Sequence, residues 1–136
     1  QSEIRAHEPM VIIPSGLKKL KWSEGQPLSV ISIEDYSGAW RSFGELVSKL
    51  GIKREIALES FFSVAQMGVA GFGHALVPVG VARALGIDDK LLVSLGRHGL
   101  MRPVRFVARK STYSLPVVSN FFVALKSHLQ TTELRG

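Results

Sequence analysis

The chain reads as short apolar runs separated by stretches of helical spacing. Residues 10–14, rich in β-branched side chains and closed by Pro14, Ser15 and Gly16, predict a strand and a turn. Residues 18–26 are polar and predict a loop, and residues 28–33 predict a second strand. The period then changes. Trp40, Phe43, Leu46, Val47 and Leu50 recur at helical spacing, with Ser37 as the expected N-cap and Gly51 just past the end. Residues 54–58 alternate again, and Ser60 opens a helix in which Phe61, Val64, Ala65 and Gly68 share a face up to a stop at Gly71. A fourth strand is predicted over 74–78, a short helix over 79–85 before Gly86, and two further strands over 91–95 and 104–108. The last predicted element is a helix capped near Ser114, with Pro116 in its first turn and an apolar stripe of Val118, Phe121, Phe122, Leu125 and Leu129.

Alternation of strand and helix patterns is the signature of an α/β sheet covered by helices. Ligands of such sheets collect at the carboxyl ends of strands, where helix N-termini point. Two strand-to-helix junctions are thereby singled out, residues 32–38 and residues 59–61.

Composition narrows the classes. The chain has 136 residues, 46% hydrophobic and 21% charged, which suits one domain, or part of one, with a buried core and argues against a disordered chain. The absence of cysteine excludes disulfides, thiolate metal sites and cysteine nucleophiles. No apolar run is long enough to span a bilayer, and the polar start lacks the pattern of a signal peptide. The chain opens on Gln rather than Met, as expected of a processed protein or a fragment.

The formal net charge is +6, and all of it falls in residues 97–136, where Lys and Arg outnumber a single acidic residue; the first 96 residues balance. A solvated face, or a surface that meets an acidic segment, accounts for this better than a nucleic-acid patch, because no aromatic interleaving accompanies the charge.

Catalytic and metal signatures are sparse. His7, His74, His98 and His128 show no metal-ligand spacing, so no metal and no cofactor is expected. His74, which opens an apolar strand, is expected to be a hydrogen-bonded structural histidine. Gly71-Phe72-Gly73 lacks the third glycine and the preceding strand of a dinucleotide loop, and no phosphate loop or nucleophile elbow occurs. Ser60 follows Glu59 at a helix start with no base to activate it, which favours capping over nucleophilic catalysis. Glu34 and Asp35, being adjacent, do not form a ready acid/base pair. Ser32, Tyr36 and Ser37, followed by Gly38, crowd a strand end with hydroxyl groups where helix amides should point. The same atoms serve either a cap or a small anion, and the sequence leaves both readings open.

Residues 67–78, MGVAGFGHALVP, resemble the hallmark of the effector-binding domain of LysR-type transcriptional regulators. In that family a helix ends in Val-Ala-Ala-Gly-Leu-Gly, and the strand after it closes in Leu-Val-Pro. Phe72 and His74 depart from this pattern, and the resemblance extends over about residues 10–130. It implies a periplasmic-binding-protein-like (type 2) fold, a mixed sheet flanked by helices. On this reading the chain is a fragment that lacks the N-terminal DNA-binding domain and half of the first subdomain. Residues 14–96 would form the second subdomain, and residues 97–136 would return to the first. The resemblance further implies a cytoplasmic, non-enzymatic sensor. A small-molecule effector would sit between subdomains, lined from this side by Ser32, Tyr36, Ser37, Gly38, Glu59, Ser60 and Phe61. The implied partners are a second copy, as dimer or tetramer, DNA through the missing domain, and RNA polymerase, with no membrane. A solute-binding protein of the same fold is the alternative, distinguished by an export signal upstream; an enzyme fragment is the weakest reading.

Overall fold

The computed structural model describes residues 2–35 and 38–108, the side chains of residues 1–5, 39 and 104–108 apart. Strands β1 (Ser2–Ile13), β2 (Leu28–Ile33), β3 (Ile52–Leu58), β4 (His74–Pro78) and β5 (Val93–Ser94) pair in the order β3-β2-β4-β1-β5, and β6 (Met101–Ala108) pairs with β1. Helices α1 (Ala39–Lys49), α2 (Phe61–Val69) and α3 (Val79–Ala84) connect or follow the strands. Strand β2 runs parallel to β3 and β4, whereas β1 is antiparallel to β4, β5 and β6. This is the α/β sheet that the alternation predicts, and it is mixed, as the family resemblance implies.

Helices cover the sheet on both faces, which is why the central strands read as unbroken apolar runs. Met10, Ile12, Val30 and Leu76 pack with Phe43, Val47 and Leu50 of α1 on one face. On the other, Val11, Ile13, Ile31, Ala75 and Val77 pack with Val64 and Ala65 of α2 and with Val79 and Ala82 of α3. The neighbours on each strand divide between the two clusters, as the alternation of side chains in a pleated strand requires.

Helix ends follow from local chemistry. At the end of α2 the Gly71 N–H reaches Gly68 O at 3.1 Å and the Phe72 N–H reaches Met67 O at 3.1 Å, the paired bonds of a Schellman cap, with Gly71 at φ +92°. The end of α3 repeats the motif through Gly86 and Ile87. Gly68 answers a different need: a Cβ there would lie 2.7 Å from the Ala75 Cβ, so its absence lets α2 settle on β4.

Several expectations change. Strand β1 begins at Ser2 rather than near Met10, because residues 2–9 form a two-stranded ribbon with β6, and a ribbon does not demand an apolar run. The strand expected over 91–95 shrinks to Val93–Ser94, with a 3-10 turn at Asp89–Leu91 where Asp88 caps the Lys90 N–H at 2.9 Å. The residue at the N-cap of α1 is Gly38, at φ +82° and without a side-chain cap bond, rather than Ser37. His74 is the structural histidine expected, its Nδ1 accepting the Ser15 N–H at 2.9 Å. The final helix expected from Ser114 onward lies outside the described residues, as does most of the basic stretch.

Candidate functional site

The chain leaves β2 into α1 on one face of the sheet and leaves the adjacent β3 into α2 on the other. Where the loops after two neighbouring strands part in this way, open α/β sheets bind ligands in a crevice at the carboxyl ends of the strands. Both junctions singled out from the sequence, residues 32–38 and 59–61, follow the carboxyl ends of β2 and β3.

The junction after β3 is built locally. Ser60, exposed and extended at φ −133°, accepts the N–H of Phe62 at 3.1 Å and of Ser63 at 3.4 Å, satisfying two amides of the first turn of α2. Glu59 is exposed beside it. Phe61 is half-buried and packs on the core clusters of both faces.

The junction after β2 is held from a distance. Ser32 is fully buried, and its hydroxyl donates to Leu76 O on β4 at 2.8 Å, so it ties β2 to β4. Gly38 is exposed, and Tyr36 and Ser37 lie outside the described residues. Arg54 of β3 spans this junction: Nη1 donates to Ile33 O at 2.6 Å, Nη2 pairs with the Asp35 carboxylate, and the guanidinium lies 4.1 Å from the centre of the Trp40 ring. One side chain thus grips the end of β2, the loop after it and the first turn of α1. Arg54 escaped the sequence reading because its three partners are 14 to 21 positions away, beyond any helical or strand period.

A second missed group sits on the ribbon. Glu8, 7% exposed, and Arg102 are register partners on β1 and β6, with Arg102 Nη2 3.3 Å from Glu8 Oε1. The other oxygen, Oε2, accepts the Gly80 N–H at 2.6 Å, and the Arg102 guanidinium carbon lies 5.8 Å from the centre of the Phe61 ring. The pair therefore joins the ribbon to the first turn of α3, beside Phe61.

An apolar groove lies elsewhere. It encloses about 490 Å³ between α2 and the turn after α3, lined by Leu17, Gln66, Val69, Leu85, Ile87 and Leu91 among others. A groove of about 420 Å³ runs beside Trp40, Ser48 and residues 51–54. Among the described residues no three His, Asp or Glu side chains converge on a metal-sized space, and no helix is long and apolar enough to cross a membrane.

The family model of the LysR substrate binding domain matches residues 3–130. The chain belongs to the LysR substrate-binding domain family. A solved structure of a mutant OxyR2 regulatory domain from Vibrio vulnificus, with sulfate bound, is similar at a TM-score of 0.53 and 21% identity. That likeness covers 94% of this chain and 65% of the OxyR2 chain, so this chain spans under two thirds of that domain. The search of curated proteins gave no match. For this member of the family, the periplasmic-binding-protein-like fold expected from residues 67–78 holds.

Proposed function

We propose that this LysR-family chain is a ligand-sensing regulatory domain, and that a small-molecule effector occupies the crevice between residues 32–38 and residues 59–61. The observation that carries the reading is the parting of the loops after β2 and β3 to opposite faces, in a chain whose family is that of LysR substrate-binding domains. In this reading Glu59, Ser60, Phe61, Tyr36, Ser37 and Gly38 line the effector, and Ser32 fixes the strand end beneath them. Residues 14–96 form one subdomain, and residues 97–136 return to another that completes the cleft.

Effector binding would act by population shift. A ligand that prefers one arrangement of the subdomains moves the equilibrium by its difference in affinity, and an oligomer passes that change to its DNA contacts. The regulator in this reading is a cytoplasmic dimer or tetramer. It touches DNA through another domain, meets RNA polymerase, and catalyses nothing.

The test is a thermal-shift screen of the intact regulator against a metabolite library, followed by reporter transcription with any compound that stabilises it. A stabilising compound whose effect is lost in Phe61→Ala, while Phe62→Ala on the outer face of α2 keeps it, supports the site. A compound that acts equally on both variants places the effector elsewhere.

A further inference from the structure

The groove between α2 and the turn after α3 is walled by the C-terminal ends of two helices. It encloses about 490 Å³, a size that suits a small organic molecule, and Leu17, Val69, Leu85, Ile87 and Leu91 give it apolar walls. Val69 and Leu85 are each 37% exposed, so apolar surface is left open to solvent there. Leu17 stands at φ +59°, the one non-glycine residue at positive φ among the described residues, in a conformation that bulky side chains avoid. That strain sits in the wall of the groove, and backbone strain of this kind collects at ligand sites.

The polar part of the lining is made of acceptors. Asp88 is its only charged side chain among the described residues; Oδ1 accepts the Lys90 N–H at 2.9 Å, and a carboxylate has room for further donors. Gln66, exposed in the same lining, supplies a carboxamide oxygen. Ala70 and Leu85, the C-caps of α2 and α3, line the groove as well, and a helix C-terminus carries partial negative charge. The last turn of α2 has no basic residue to meet it, and Arg83 in the last turn of α3 pairs with Asp89 at 3.0 Å. Lys18 and Lys90 adjoin lining residues in the chain but are exposed and lie outside the lining. We propose that this groove binds a small hydrophobic amine, whose apolar body packs on the leucine, isoleucine and valine side chains while its ammonium meets Asp88 and the helix ends. The site is separate from the proposed effector site: Ser60 stands at the start of α2, whereas Val69 and Ala70 lie at its other end. The proposal does not depend on that reading.

Isothermal titration of the full chain with hexylamine, hexanol and hexanoate tests it. Hexylamine should bind saturably and about fivefold or more tightly than hexanol, with hexanoate the weakest. Lengthening the amine from butyl to hexyl should tighten binding about fourfold per methylene, as burial of an apolar chain requires. Asp88→Asn, which can still cap the Lys90 N–H, should bring the amine down to the affinity of the alcohol. Val69→Lys, at an exposed position, should fill the groove with an ammonium of its own and abolish binding of hexylamine and hexanol alike. Should that variant fail to fold by circular dichroism, Leu85→Lys takes its place with the same expected loss. Equal affinities of wild type for amine and alcohol overturn the proposal. So does hexylamine binding that survives the lysine variant, or that is lost instead in Phe61→Ala, because the ligand then sits elsewhere. Heats that do not saturate, or no binding at all, overturn it too.

Discussion

The two strand-to-helix junctions, after β2 and after β3, are held by different means. After β3, Ser60 caps the helix it begins, a contact within three residues. After β2, the helix begins at Gly38 with no side-chain cap, and Arg54 supplies the hold from the neighbouring strand through a carbonyl, a carboxylate and an indole ring. A local cap fixes the direction of one helix. A long-range clamp fixes a loop only after the sheet has formed, so the first junction should form early in folding and the second late.

Substitutions can break or sharpen this contrast. The largest effect is expected from Gly68→Ala, which drives a methyl group into Ala75 and lifts α2, and with it Ser60, from β4. Overpacking of this kind costs about 1–3 kcal/mol, read as a lower urea midpoint. Arg54→Ala should cost about 1–2 kcal/mol and speed amide exchange in the loop after β2 without altering exchange in α2. Arg54→Lys should restore little of this, because an ammonium cannot bond a carbonyl and a carboxylate in one plane while lying on a ring. With Trp22 replaced by Phe, Trp40 fluorescence reports the loss of the overlying guanidinium directly. Ser60→Ala should cost about 1 kcal/mol, and Ser60→Asp should recover it, with the loop after β2 unaffected in both. The smallest effect belongs to Asp35→Asn, below about 1 kcal/mol, since Asp35 is largely exposed. A double-mutant cycle with Arg54 should show coupling for Asp35 and none for Ser60; coupling to Ser60 would mean that the two junctions act as one unit.

The same contrast explains what was legible in the sequence. Ser60, Gly51, Gly71 and Gly86 were readable because caps are set by the residue and its next few neighbours. The central strands were readable because burial on both faces leaves an apolar run. Gly38 as the true start of α1 was hidden because a serine stands just before it, and local preference favours serine. The ribbon half of β1 was hidden because its partners lie 92 to 106 positions away and its composition is mixed. Arg54 and the Glu8–Arg102 pair were invisible for that reason too: each joins residues far apart in the chain that only the folded sheet brings together. Of the residues expected to line the effector, Ser60 caps α2 as its position at the helix start predicts, and Phe61 packs on the core. Ser32 reads differently in three dimensions, as a tie between β2 and β4.

Met10 marks the point where β1 changes partners. Its N–H is taken by Leu100 O at 3.0 Å, its carbonyl takes the Leu95 N–H at 2.9 Å, and the strand passes from β6 to β5 without a loop. A continuous strand that belongs to a ribbon at one end and to a sheet at the other cannot fold at the joint without losing ladder bonds, but it can twist. Movement of whatever grips residues 2–9 would therefore reach the sheet as torque about the axis of β1, with Met10 as the bearing on which it turns.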